Sequence, residues 1–241
     1  MRRVWLRLSF DGWSNLASFQ SKKNSQSKIP RFLFVKLADQ DIVRVGDAPV
    51  YCPLLLDGFA CRYKMLENGQ RQIMAFHVPN DFCDLTSILL KKLDHSIGTL
   101  TPAKVALIPH ATILDWAWNH PGLGQLLWRA TLVDAAVSRE WIVNVGRRTA
   151  YQRTAHLLCE LMLRMRAAGL AQGLACNLPI TQIELADALG LTPVHVNRTL
   201  QWLRGESLIE LSGKTLTVRN WRELKRAAGF DGTYLHQSAP A

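Results

Sequence analysis

Residues 181–200 read TQIELADALGLTPVHVNRTL. Two short apolar-periodic runs stand on either side of a glycine and a Thr-Pro, and each opens with a helix-start signal. Thr181 followed by Glu184 has the spacing of a capping box. The hydroxyl takes the backbone N–H at the third helical position, and the carboxylate reaches back to the cap. Ile180 and Leu185 stand at the two positions of a hydrophobic staple. Ile183, Leu185, Ala186 and Leu189 are expected to bury one face, and Gly190 ends the helix where a left-handed residue is wanted. The second helix restarts at once, with Thr192 as N-cap and Pro193 at the first position, where a missing N–H costs nothing. Val196, Leu200 and Leu203 form its inner face.

Two helices joined by about three residues cannot lie side by side; they cross steeply, as in a helix-turn-helix. Close crossing needs a small side chain, which Ala186 supplies, so Ala186, Gly190 and Val196 form the heart of the motif. The outer face of the second helix carries Val194, His195, Asn197, Arg198 and Gln201, with one cation and no carboxylate. A merely solvated face normally mixes acids with bases; this composition suits the edges of base pairs. The run SLIELSGKTLTVRNW (207–221) then reads as two brief strands around Ser212-Gly213. A helix-turn-helix followed by a β-hairpin is a winged helix. At its tip Ser212, Gly213 and Lys214 offer phosphate a hydroxyl, an N–H and an ammonium.

Upstream, GRRTAYQRTAHLLCELMLRMRAAG (146–169) is a helical pattern whose core face is Ala155, Leu158, Leu161, Met162 and Met165. LAQGLACNLP (170–179) reads as a loop. Before these, GLGQLLWRATLVDAAVSREWIVNV (122–145) places Leu123, Leu126, Ala130, Val133 and Val137 at the alternating three-and-four spacing of a helix seam. Leu127, Trp141 and Val145 widen that stripe. At ~1.5 Å per residue this run reaches about 36 Å, and its width suits a helix that covers a barrel with one edge and pairs with a twin along another.

Between 39 and 109 the runs are short and β-like: DIVRV (41–45), PLLLDGFACRYKM (53–65), RQIMAFHV (71–78) and KVALI (104–108). Asn68-Gly69 is a hairpin signal, because both residues tolerate the positive φ angles of a primed turn. Several short strands with turns between them imply a small sandwich or jelly-roll barrel. SFQSKKNSQSKIP (18–30) is polar, basic and without period, which suits a loose arm; the tail YLHQSAPA (234–241) shows no pattern. The fold class is therefore α+β: an N-terminal β-roll, a long helix and a C-terminal winged helix-turn-helix. The expected divisions are an arm at 1–36, the roll at 37–120, the long helix and a hinge at 121–146, the winged helix at 147–224 and a tail at 225–241.

The bulk numbers agree with a globular chain: 48% hydrophobic and 20% charged. No run approaches ~18 uninterrupted apolar residues. In MRRVWLRLSFDGWS, Arg7 and Asp11 break any signal-peptide core, so a soluble cytoplasmic protein with no membrane partner is expected. The five cysteines, Cys52, Cys61, Cys83, Cys159 and Cys176, include no C-x-x-C. That argues against a disulfide framework and a zinc site, and neither metal nor cofactor is expected. The net charge of +10 splits evenly, +5 on each side of residue 146, so both parts suit a polyanionic partner.

Order and spacing together resemble the Crp/Fnr family of bacterial transcription regulators. The likeness spans 40–225 by architecture and is most specific at LPITQIELADALGLTPVHVNRTLQWLRGESLIELSGKTLTV (178–218). It implies a cyclic-nucleotide-binding-like sensor roll, and a homodimer paired through residues 122–145 with a hinge near Asn144–Gly146. It also implies double-stranded DNA with two-fold half-sites as partner, and action on RNA polymerase as activator or repressor. It places Arg198 on the family's guanine-reading arginine, with Val194, His195 and Asn197 beside it as base readers. Val194 stands where many members have a base-contacting glutamate; a valine touches a thymine methyl but accepts no hydrogen bond from cytosine. Thr181, Gln182, Thr192, Gln201, Ser212 and Lys214 fall on DNA-backbone positions.

In cyclic-AMP-binding members a Gly-Glu pair and an Arg-Ser pair hold the ribose and phosphate. Here DFCDLTSILLKKLDHSIG (81–98) puts Cys83-Asp84 near the first and His95-Ser96 in place of the second. Losing the arginine removes the charge-assisted phosphate contact, so the effector site is degenerate and cyclic AMP is not expected to bind. Iron–sulfur members use a cysteine cluster near the N-terminus, and nothing before Cys52 qualifies. Haem-binding members ligate through a Cys and a His, and DLTS offers no histidine after Cys83. Two other readings remain: a protein-interaction module that docks through its winged helix, and a thiol or acid–base enzyme centred on Cys83 and His95 with Asp84 and His77.

Overall fold

Strand structure begins inside the stretch read as an arm. The computed structural model describes residues 33–237, so residues 1–32 and 238–241 of the arm and tail lie outside the described residues. Strand β1 (Leu33–Leu37) pairs antiparallel with β7 (Ala103–Pro109), whose other edge pairs with β3 (Tyr51–Asp57). The second sheet runs in the order β2 (Asp41–Val43), β6 (Ser96–Thr99), β4 (Ala60–Met65), β5 (Arg71–His77). Leu55, Ala60, Ile97, Ala103 and Val105 from the two sheets close on one another as a core, which makes the expected roll. β6 escapes a reading by alternation because all four of its residues are buried, and a strand covered on both faces shows no period of two.

The hairpin at Asn68-Gly69 forms, with a different turn. Met65 pairs with Arg71, the Leu66 N–H donates to the Gln70 carbonyl, and only Gly69 takes a positive φ, +79°. That is a three-residue loop with one left-handed position, not the two-residue primed turn in which both central residues are left-handed. Asn68 instead accepts from the Gln70 N–H at 3.0 Å through its side chain.

Among the described residues six α-helices follow: α1 (His110–Asn119), α2 (Pro121–Arg147), α3 (Ala150–Ala167), α4 (Gln182–Leu189), α5 (Pro193–Gly205) and α6 (Trp221–Ala228). Helix α2 runs straight through Asn144–Gly146; the break falls at Arg148 and Thr149, both extended. Asn144 is buried and donates to the Arg153 carbonyl at 3.2 Å, while Thr149 and Gln152 form the capping box that starts α3. The stretch read as a loop at 170–179 contains β8 (Ala171–Gln172) and β9 (Ala175–Asn177). With β10 (Ile209–Ser212) and β11 (Thr215–Val218) they build a sheet in the order β10-β11-β9-β8. Strands of two and three residues carry too little periodicity to read locally. At the C-terminal end, α6 continues past 224, and a 3-10 turn follows at Gly232–Leu235.

The largest core joins the two halves. Phe59, Ile73 and Phe76 of the roll pack in one cluster with Val137 and Trp141 of α2, Leu158 and Met162 of α3, and Leu185 of α4. Phe76 meets Trp141 edge-on with ring centroids 5.9 Å apart. His156 of α3 is buried between Phe230 (4.9 Å) and Tyr234 (5.9 Å). Burial, and then the Arg148 charge, lower its pKa to about 3. The folded value lies below the unfolded one, so the unfolded chain binds the extra proton. The stabilisation is complete above pH ~6.5 and is lost as pH falls towards 3. Between pH 7 and pH 5 the wild type is expected to lose about 2 kcal/mol more than a His156→Gln variant, read from urea midpoints at the two pH values. Parallel curves for the two proteins would remove His156 as the cause.

Candidate nucleic-acid interface

The helix pair at 181–205 is assembled by its caps. The Thr181 hydroxyl accepts from the Glu184 N–H at 3.2 Å, and Glu184 accepts in return from the Thr181 N–H at 2.6 Å. Gly190 closes α4 in the left-handed region at φ +61°, and Thr192 caps α5 by accepting from the His195 N–H at 3.2 Å. A missing N-cap hydroxyl typically costs about 1 kcal/mol, and the Gly190 C-cap, two residues before the Thr192 N-cap, holds the turn between the helices with it. Leu185, Ala186 and Leu189 of α4 and Val196, Leu200 and Leu203 of α5 are buried. Ile183 is not: it is exposed, because ~100° per residue puts it about 200° round the axis from Leu185.

The outer face of α5 is open. Val194 is 70% exposed, Arg198 and Gln201 are exposed, and His195 and Asn197 are half-buried. Asn197 donates to the Gln182 side chain at 3.1 Å and accepts from Gln201 at 3.0 Å. The wing projects beside it. β10 and β11 pair from Ile209↔Val218 to Ser212↔Thr215, and Ser212, Gly213 and Lys214 at the tip are all exposed. The Lys214 carbonyl accepts from the Leu178 N–H at 2.6 Å, anchoring the tip to the strand next to it.

Several residues that set this face carry no local signal. Arg153 of α3 donates to the Leu189 carbonyl at 2.5 Å, the Val145 carbonyl at 2.9 Å and the Arg148 carbonyl at 3.2 Å. One guanidinium thereby sits on the C-terminal ends of α2 and α4, where helix dipoles favour a cation. Arg71 on β5 pairs with Asp187 of α4 at 2.7 Å, and Gln72 donates to the Ala188 carbonyl at 3.3 Å. Helix α4 is thus clamped between the roll and the end of the long helix, which leaves α5 turned outward. The contacts that reach α4 span 36 residues from Arg153 to Leu189 and 116 from Arg71 to Asp187 and from Gln72 to Ala188, beyond the reach of any sequence window.

In the roll, the four effector-site candidates are turned to separate local partners. Cys83 is fully buried in the roll core, and burial pushes its thiol well above the ordinary range. Asp84 accepts from the Thr86 N–H and hydroxyl and from the Ser87 N–H. His95 contacts Asp94 at 2.7 Å, and the Ser96 hydroxyl accepts from the Val45 N–H. Arg62, from β4, donates to the Cys83 carbonyl and to Asp134 of α2 at 2.8 Å, tying this region to the long helix. A thiolate is the reactive form of a cysteine, so the thiol-enzyme reading finds no support in Cys83.

Two family models match the chain: a cyclic nucleotide-binding domain at residues 36–117 and a Crp-like helix-turn-helix domain at residues 152–227. The transcriptional activator protein FnrL of Cereibacter sphaeroides is 28% identical over 198 residues, covering 80% of this chain and 79% of its own. The fumarate and nitrate reduction regulatory protein of Vibrio cholerae is 25% identical over 190 residues, covering 79% and 76%. The structure of FixK2 from Bradyrhizobium japonicum superposes with a TM-score of 0.73 at 24% identity, over 88% of this chain and all of that one, a likeness of fold. Sensor roll, long helix, capped helix pair and wing thus occur together in the order that the matched relatives share, and the chain belongs to the Crp/Fnr family of DNA-binding transcription regulators.

Proposed function

We propose that the protein acts as a homodimer on two-fold DNA half-sites, inserting α5 into the major groove. The observation that carries this reading is the open outer face of α5: its inner residues Val196 and Leu203 are fully buried, while Val194 and Arg198 face solvent, uncovered by the chain's own roll. Arg198 reads guanine, with His195, Asn197 and the Val194 methyls offered to neighbouring bases. Thr181, Thr192, Ser212 and Lys214 meet the phosphates. Thr192 through Arg204 holds no carboxylate, so nothing on this face repels a polyanion, and the protein-docking alternative gains no support there. DNA as the partner implies work in the cytoplasm; among the described residues no helix is long and apolar enough to cross a membrane.

The second copy is proposed to lie along α2. The edge turned to the chain's own core carries Val133, Ala136, Val137 and Trp141. The opposite edge leaves Trp128 (69%), Leu132 (57%) and Ile142 (72%) exposed. With Ala135 they fall at steps of four, three and seven, the repeat of a two-helix seam. The stripe of Leu123, Leu126, Ala130, Val133 and Val137 is therefore not the pairing edge. The roll is proposed to bind no cyclic AMP, because an imidazole held by Asp94 stands where the phosphate-binding arginine would be. RNA polymerase as the downstream partner follows from the family likeness.

The test is binding to a site selected from random duplexes. Arg198→Ala is expected to lose about 1–3 kcal/mol of discrimination at one G·C pair while keeping its salt dependence. Lys214→Ala is expected to weaken all duplexes alike and to reduce the salt slope by about one. Equal base preferences in wild type and Arg198→Ala would refute base reading by α5.

A further inference from the structure

We infer that Gln182 and Gln201 are positioning residues that fix the Asn197 amide to read an adenine, rather than phosphate contacts in their own right. The inference rests on α5 entering the major groove. Three side-chain amides from two helices form a continuous relay: Asn197 donates its Nδ2–H to Gln182 Oε1 at 3.1 Å, and Gln201 donates its Nε2–H to Asn197 Oδ1 at 3.0 Å. Gln182 lies fifteen residues before Asn197, on the first turn of α4, and Gln201 lies one turn further along α5.

An asparagine amide has two N–H donors and two acceptor lone pairs. The relay takes one of each, leaving one N–H and one lone pair on the same planar group. Adenine presents in the major groove an N7 acceptor beside an N6 donor, the complement of that remaining pair; a guanine edge, with two acceptors, is not. The tally is the same whichever way the three amides are turned. Asn197 is half-buried between its two neighbours, while both glutamines are exposed, so the central amide is the restrained one. Restraint matters because a free Asn side chain rotates and can satisfy several bases, whereas a held one prefers a single edge.

Two of the six DNA-backbone positions implied by family likeness are thereby reassigned. A glutamine that touches phosphate would contribute equally to every sequence. A glutamine that holds Asn197 contributes only where Asn197 reads. The two roles separate in the base-preference profile.

The experiment measures binding of the full chain to its selected site and to duplexes with each half-site base pair replaced in turn. The proteins are wild type, Asn197→Ala, Gln182→Ala, Gln182→Glu and Arg198→Ala, each checked by thermal melting. Asn197→Ala is expected to lose roughly 5- to 150-fold of preference at one A·T pair distinct from the Arg198 position. Gln182→Ala is expected to lose about two- to tenfold at that same pair and at no other. Gln182→Glu keeps an acceptor for the Asn197 N–H, so it should retain the adenine preference while its charge lowers affinity for all duplexes. If Gln182→Ala instead weakens every duplex by one factor and leaves the profile unchanged, the glutamine is a phosphate contact and the relay has no reading role. An Asn197→Ala profile identical to wild type, with the Arg198 position confirmed, would overturn the adenine assignment alone. Loss of the Arg198 effect as well would instead overturn the groove-reading helix itself.

Discussion

A Trp128→Glu, Leu132→Glu double variant is expected to sediment as a monomer and to bind a two-fold site at least about 100-fold more weakly than wild type. Both side chains project from α2 into solvent within one chain, so the charges should leave the melting temperature of the isolated protomer nearly unchanged. Burying a large apolar side chain contributes about 1.5–3 kcal/mol. Four of them across a two-fold interface sum to roughly 6–12 kcal/mol before the cost of association. A glutamate at each position removes that gain and faces its own copy across the axis. The DNA effect follows because two half-sites bound through one dimer gain ~10²–10⁴ in avidity over separate modules. Ala130→Glu, on the seam that periodicity alone favours, is expected to leave the dimer intact. A double variant that remains dimeric would move the interface away from Trp128 and Leu132.

Glu160→Ala is expected to cost about 3–5 kcal/mol and to lower the melting temperature by roughly 6–20 °C, at ~2–4 °C per kcal/mol for a chain of this size. Glu160 is completely buried. It accepts from the Trp141 indole N–H at 3.0 Å, from the Tyr234 hydroxyl at 2.8 Å and from Arg164 at 3.4 Å. Arg164 in turn donates to Asp81 at 2.7 Å and to the Phe76 carbonyl at 2.8 Å. One carboxylate therefore links the roll, the long helix, α3 and the 3-10 turn after α6. Burial pushes its carboxyl pKa upward, and Arg164, Tyr234 and Trp141 draw it back only in part. Alanine leaves an indole N–H and a phenol without an acceptor and Arg164 with one carboxylate fewer. Tyr234→Phe removes a single bond and should cost about 1 kcal/mol. Equal small losses for both variants would show that Glu160 is no hub.

The C-terminal segment illustrates why part of the molecule was illegible. YLHQSAPA has no period, yet Tyr234 reaches Glu160, Arg129 bonds the His236 carbonyl, and Leu235 is buried. The signal lies in the partners, 74 and 107 residues away. The same holds for β8 and β9: β9 is a strand because it pairs with β11, and β8 because it pairs with β9, rather than through their own few residues. In the roll, β5 and β7 were legible because each runs seven residues beside turn signals, whereas β3 and β4 were read as one run, 53–65, which Gly58 breaks at φ +87°. β1 and β6 were not legible, one hidden behind a polar arm and one buried on all sides.

Local chemistry alone determined the helix pair and its wing. Capping boxes, a left-handed glycine, a proline at a helix start and a 3.6-residue period all act within a few residues along the chain, so they can be read in order. Tertiary structure decided which edge of α2 stays open, which carboxylate holds the halves together, and which amide on α5 is restrained. Those outcomes depend on side chains distant in sequence, such as Arg71 with Asp187 and Gln182 with Asn197. An apolar stripe wide enough for two partners does not say which edge the chain's own core will take, and only packing chooses.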